Sequence, residues 1–159
     1  LLFLSIGVTI DCMAKTSTIM LTCADYRGEE AHHHLVEVLG SADRLVALGA
    51  SLGIVDERRR LVVFDEIKDL CALHGCTTLL IVDHMNCGKY RVKYGIGSNG
   101  QPVLEADRER QLHQGNLATA KRVVEAHFPE LEVTTLLLEH DSATDNLMMP
   151  APTREPVRA

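Results

Sequence analysis

Apolar residues along this chain follow two alternating patterns. Some form short runs with little polar interruption, and others recur every three to four residues through longer stretches. The first pattern suits strands covered on both faces of a sheet, the second helices laying one stripe against it. "STIMLTCA" (17–24) reads as a buried strand. Residues 29–39 read as a short helix with acids in the first turn and Gly40 as its stop. "RLVALGA" (44–50) predicts a second strand. Over 56–74, Val63, Ile67, Leu70 and His74 share one helical face, flanked by Phe64 and Cys71, and Gly75 ends the helix.

"TTLLIVDH" (77–84) is short, β-branched and apolar almost throughout, as in a parallel sheet. Pro102 suits the first turn of a further helix, which turns Leu112, Leu117, Ala120, Val124 and Phe128 toward the core until Pro129 closes it. "LEVTTLLLEH" (131–140) is the last expected strand. The β-α-β-α-β-α-β order predicts an α/β fold, with a mostly parallel central sheet of about four strands flanked by helices. Ligands of such sheets bind beyond the carboxyl ends of the strands, where both Cys23 and His84 fall.

The 159 residues suit one domain, expected over 13–149. Residues 1–12 are expected to be an extension ahead of a natural start at Met13, and 150–159 a fraying tail. A net charge of -6, from 22 acidic and 16 basic residues, argues against a duplex nucleic-acid binder, which needs a basic face. The apolar opening "LLFLSIGVTI" is too short to span a bilayer and lacks a basic leader, so no membrane partner is expected. Five cysteines, an odd number, favour free or metal-bound thiols in the reducing cytoplasm over a disulfide framework.

The chemistry concentrates in two stretches. "DHMNCG" places His84 and Cys87 at a strand end, two residues apart, where both can turn toward one point. With Cys23 they form a two-thiolate, one-imidazole set that Zn²⁺ accepts, leaving a fourth position open. A water there is acidified from 15.7 toward roughly 7. In "LTCADYRG", Asp25 and Arg27 follow Cys23 at alternate positions, which point the same way on an extended strand. Asp25 would orient that water or displace it, and Arg27 would hold the carboxylate off the metal through a bidentate pair.

Other polar clusters have plainer readings. Cys12, Cys71 and Cys76 read as small hydrophobes. Cys71, His74 and Cys76 form a rival metal set, but they span a helix end. His32–His34 cannot chelate one ion from neighbouring helical positions and read as a solvated face. "GIGSNG", with Gly95, Gly97 and Gly100, lacks the preceding strand of a dinucleotide site and reads as a loop.

Cys23-x-Asp25-x-Arg27 followed by His84-x-x-Cys87-Gly88 resembles the β-class carbonic anhydrases. The resemblance is clear over 17–88 and extends beyond as a helix followed by a strand. It implies the β-carbonic-anhydrase fold, zinc on Cys23, His84 and Cys87, and Asp25 and Arg27 as the orienting dyad. It also implies reversible hydration of CO₂ to bicarbonate by a zinc-bound hydroxide, in a homodimer or higher oligomer with sites near the subunit interface. The family's Arg-x-Ala-Gly segment here reads "VALGAS" (46–51), which keeps Gly49 but has no arginine. Two alternatives stand beside CO₂: hydrolysis of CS₂ or COS at the same site, and a non-catalytic zinc or thiol protein.

Overall fold

A computed structural model describes residues 17–95 and 105–150. The strands are β1 (Thr18–Thr22), β2 (Asp43–Val46), β3 (Thr78–His84), β4 (Glu132–Asp141) and β5 (Asn146–Met148). The helices are α1 (Glu29–Leu39), α2 (Ser51–Val55), α3 (Glu57–His74), a single turn α4 (Gly88–Tyr90) that runs on as a π-turn, and α5 (Ala106–His127). The strands lie in the order β2-β1-β3-β4-β5; the first four are parallel and β5 is antiparallel to β4.

The expected mostly parallel sheet is present, with β5 as a strand beyond the four read from the sequence. Its three residues return from a turn in which Asp141 accepts from Ala143 N (2.9 Å) and Thr144 Oγ1 (2.8 Å), and Asp145 takes a left-handed φ of 58°. The second strand is shorter than expected. It stops at Val46, the chain turns through Gly49 (φ 73°) and Ala50 (φ 33°), and α2 follows, a helix the sequence reading did not include.

Alternation within the strands divides the core. Ile19 and Leu21 of β1, with Leu79 and Ile81 of β3, pack on one face beneath Ile54, Phe64, Ile67, Ala120 and Val124 from α2, α3 and α5. Met20, Leu80 and Val82 point the other way, toward Ala31 and Leu35 of α1 and Leu147 of β5. Both central strands are therefore covered on both sides, which is why they read as continuous apolar runs. The helix bounds follow local chemistry: Asp56 caps α3 by accepting Arg58 N at 3.0 Å, and Gly75 ends it in the left-handed conformation.

This order makes a switch point. From β1 the chain leaves through α1 to β2 on one side, and from β3 it leaves through α5 to β4 on the other. The connections diverge beyond the carboxyl ends of β1 and β3, opening the crevice where doubly wound sheets bind ligands. No helix among the described residues is long and apolar enough to cross a membrane. Residues 1–16, 96–104 and 151–159 lie outside the described residues, and with them the expected extension, Pro102, most of "GIGSNG" and the tail.

Candidate metal centre

Cys23 stands one residue past β1, His84 ends β3, and Cys87 precedes α4. Their candidate ligand atoms all lie within 4.8 Å of one another, and all three residues are buried. The loop between His84 and Cys87 is short because Asn86 takes a left-handed φ of 59°, and Met85 N donates to Leu138 O at 2.9 Å. His84 Nδ1 lies 3.0 Å from the Met85 carbonyl, so that nitrogen carries the proton and Nε2 keeps a free lone pair. Nε2 is buried without a hydrogen-bond partner among the described residues. An unpartnered buried imidazole nitrogen beside two thiols fits a soft, tetrahedral cation.

The thiols are prepared differently. Cys23 is held far below the ordinary thiol value, first by a hydrogen bond from the Cys87 thiol and against the opposing effect of burial; the Gly49 N–H assists. The Gly49 amide donates to Cys23 Sγ at 3.2 Å. Cys87, as the donor of the shared proton and a buried group, is pushed up. Gly49 is constrained twice here, by its positive φ and because a Cβ would meet Lys89 Cγ at 3.0 Å and Leu52 Cδ1 at 3.1 Å.

Asp25 and Arg27 lie beside this cluster, but not through strand alternation as expected. β1 has already ended at Thr22, and Asp25 caps the 3₁₀ turn Tyr26–Gly28 by accepting Arg27 N at 3.1 Å. That turn folds the Arg27 guanidinium back onto the carboxylate, with Nε to Oδ1 at 2.9 Å and Nη2 to Oδ2 at 2.7 Å. The pair holds the Asp25 carboxyl down at about 2. Asp25 Oδ2 is 3.9 Å from His84 Nε2, so the carboxylate faces the cluster. Arg27 also donates to Asn86 O (3.0 Å) and to Asp145 Oδ1 (3.2 Å).

One expectation about the other polar residues is corrected. His32 is not part of a solvated face: it is 4% exposed and lies on the buried stripe of α1 with Ala31 and Leu35, while His33 and His34 are exposed. The rival set is committed elsewhere, since His74 Nδ1 sits 2.5 Å from Asp43 Oδ2 and Cys76 Sγ lies 3.7 Å from the same oxygen. Cys23, Cys71, Cys76 and Cys87 are all unbridged. His127 stacks on Phe64, away from the cluster, whereas His113 and Tyr90 are fully buried beside it. The sequence reading missed Asn86, Asp145 and the buried Asp83, Glu109 and His113. A signal existed only for Glu109 and His113, polar residues one turn apart beside the apolar stripe of α5.

No family model matches the chain. It is 25% identical over 139 residues to an uncharacterized protein of Rickettsia conorii, covering 84% of this chain and 73% of that protein. Another uncharacterized protein, from Rickettsia bellii, is 26% identical over 139 residues, covering 84% and 82%. Among solved structures, a tetrameric β-carbonic anhydrase of Sordaria macrospora matches with a TM-score of 0.54 at 15% identity, covering 86% of this chain and 81% of that one. The β-carbonic anhydrase CafA of Aspergillus fumigatus matches with a TM-score of 0.53 at 16% identity, covering 90% and 78%. The fold is thus that of the β-carbonic anhydrases, as the motif resemblance implied.

Proposed function

We propose that the chain is a zinc enzyme that reversibly hydrates CO₂ to bicarbonate, with Cys23, His84 and Cys87 as the metal ligands. The observation that carries this reading is the convergence of two thiols and an unpartnered imidazole nitrogen at the switch point of this fold. Zn²⁺ held there supplies an acidified water as nucleophile near neutral pH.

The chain's own residues do the rest. The Cys87 thiol and the Gly49 N–H favour the thiolate form of Cys23, which a cation needs. The Met85 carbonyl fixes the His84 tautomer that presents Nε2. Asp25, kept ionised by Arg27, offers an acceptor beside the cluster that would orient a water there by accepting its hydrogen bond. Arg27 fixes that carboxylate from two sides, through the bidentate pair and through Asn86 O, and so would keep it from binding the metal itself.

We take the chain to be a cytoplasmic small-molecule enzyme, in line with its net charge of -6 and with the unbridged Cys23, Cys71, Cys76 and Cys87. We take it to assemble with copies of itself, as the Sordaria protein does. β2 at the outer edge of the sheet, with Val46, Leu48 and Val62 exposed beside it, is the face suited to this. Zinc-loaded protein offered CO₂, COS and CS₂ in parallel tests the substrate: bicarbonate from CO₂ supports the proposal, and sulfide release without CO₂ hydration overturns it.

A further inference from the structure

Next to the cluster lies a buried polar network built on Asp83, His113 and Glu109. Asp83, the residue before His84, is 1% exposed. Its Oδ1 accepts Ser51 N at 2.9 Å, and its Oδ2 accepts Ser51 Oγ at 2.6 Å and Tyr90 Oη at 2.8 Å. His113 Nδ1 reaches the same Oδ2 at 2.8 Å, and its ring lies flat on Tyr90 with centroids 3.5 Å apart. On its far edge, His113 Nε2 faces Glu109 Oε1 at 3.6 Å. That same glutamate oxygen accepts the backbone N–H of Cys87 at 2.9 Å.

Packing alone does not ask for this arrangement. Leu117, Ala120 and Val124 present hydrocarbon to the core further along α5, and hydrocarbon in place of a buried charged set is often neutral or stabilising. Here one imidazole lies between two carboxylates, both largely out of water. Burial opposes its protonation, but Asp83 and Glu109 outweigh burial and raise its pKa. The two acids then lead to different ends of one loop. Asp83 is bonded through the chain to His84, and Glu109 holds the amide of Cys87.

We propose that His113 is a positioning residue for the metal centre, fixing both ends of the 84–87 loop through Asp83 and Glu109 and thereby the spacing of the His84 and Cys87 donors. The proposal rests on the reading of Cys23, His84 and Cys87 as ligands. Outer partners of this kind change metal affinity by about 10–100-fold when lost.

The test is titration of the metal-free full chain with Co²⁺, read by the thiolate-to-cobalt charge-transfer and d–d bands and by chelator competition. Thermal melting of each metal-free variant runs alongside. His113→Leu and Glu109→Gln should each weaken Co²⁺ binding by about 10-fold or more and alter the d–d bands. Asn116→Ala removes a donor to Tyr90 Oη (3.1 Å) in the same network but touches neither end of the loop. It should keep wild-type affinity and bands even where its melting temperature falls. Affinity losses that track melting temperature across all three variants would mean a purely structural network and overturn the proposal.

Glu109→Gln keeps the shape and an acceptor, so it carries the test if His113→Leu does not fold. A folded Glu109→Gln with wild-type affinity and bands overturns the proposal while leaving the ligand reading intact. A wild-type chain that takes up no Co²⁺ overturns both.

Discussion

Arg27 closes on Asp25 through two parallel hydrogen bonds, 2.9 Å from Nε to Oδ1 and 2.7 Å from Nη2 to Oδ2. The same Nη2 donates to the carbonyl of Asn86, so one guanidinium joins the carboxylate to the loop carrying His84 and Cys87. A lysine cannot make this fork. Arg27→Lys should therefore lower stability by only about 1 kcal/mol, since the pair is partly exposed. Its larger effect should be on turnover, because Asp25 is released toward the metal. Activity measured against zinc content checks this: activity should fall well beyond any loss of metal, and equal losses would make Arg27 structural.

Purified protein should carry about one zinc per chain. Cys23→Ser should remove it, because serine supplies no thiolate for the position that Gly49 N–H addresses. Chelation should lower the melting temperature of the wild-type protein, since a ligand at ~100–1,000 times its Kd stabilises by about 2.7–4.1 kcal/mol. Elemental analysis finding no zinc, with Cys23→Ser melting like wild type, would contradict the metal site.

Acid sensitivity should trace in part to His32. Burial lowers its pKa from 6.5 to about 4, with Arg44 adding to the effect. Between these values the unfolded chain binds the proton and the folded chain does not, so stability falls as pH drops from 6.5 toward 4 and levels off below. Denaturant melts across this window should slope for the wild type and flatten for His32→Leu. An unchanged slope would mean that other groups set the acid limit.

Gly28 and His32 are packed too closely for a side chain at 28. A Cβ there would lie 2.7 Å from His32 Cε1, and the ring is buried and cannot swing away into solvent. Gly28→Ala should cost about 1–3 kcal/mol. The cost should shrink when His32→Ala is also present, because the clash is removed. Additive losses in chemical denaturation would place the strain elsewhere.

The sheet was legible where burial on both faces left no polar interruption, as in Leu79 to Val82, and α1 where Gly40 stops the apolar stripe. β5 was not, because three residues carry no period and Leu147 is apolar only in the context of α1 and β4. α2 was hidden because "LVALGASLGIV" is apolar throughout, and the turn at Gly49 and Ala50 depends on Lys89, Leu52 and Cys23 nearby. Cys23, Asp25, Arg27, His84 and Cys87 could be singled out as a compound spacing. The way Asp25 meets Arg27 could not, since Asp25 caps the Tyr26–Gly28 turn in place of the strand alternation that the spacing suggested. Asp83 carries no local signal of its role, since only the tertiary fold brings His113 to it.

Hydration of CO₂ in this crevice requires a metal held by Cys23, His84 and Cys87 in the proposed reading. Stopped-flow hydration by a zinc-replete sample at mildly alkaline pH tests it most directly, with Cys87→Ser as the paired control. The rate should lie well above buffer, scale with bound zinc and vanish in the variant. A zinc-replete wild-type protein with no rate above buffer would contradict it.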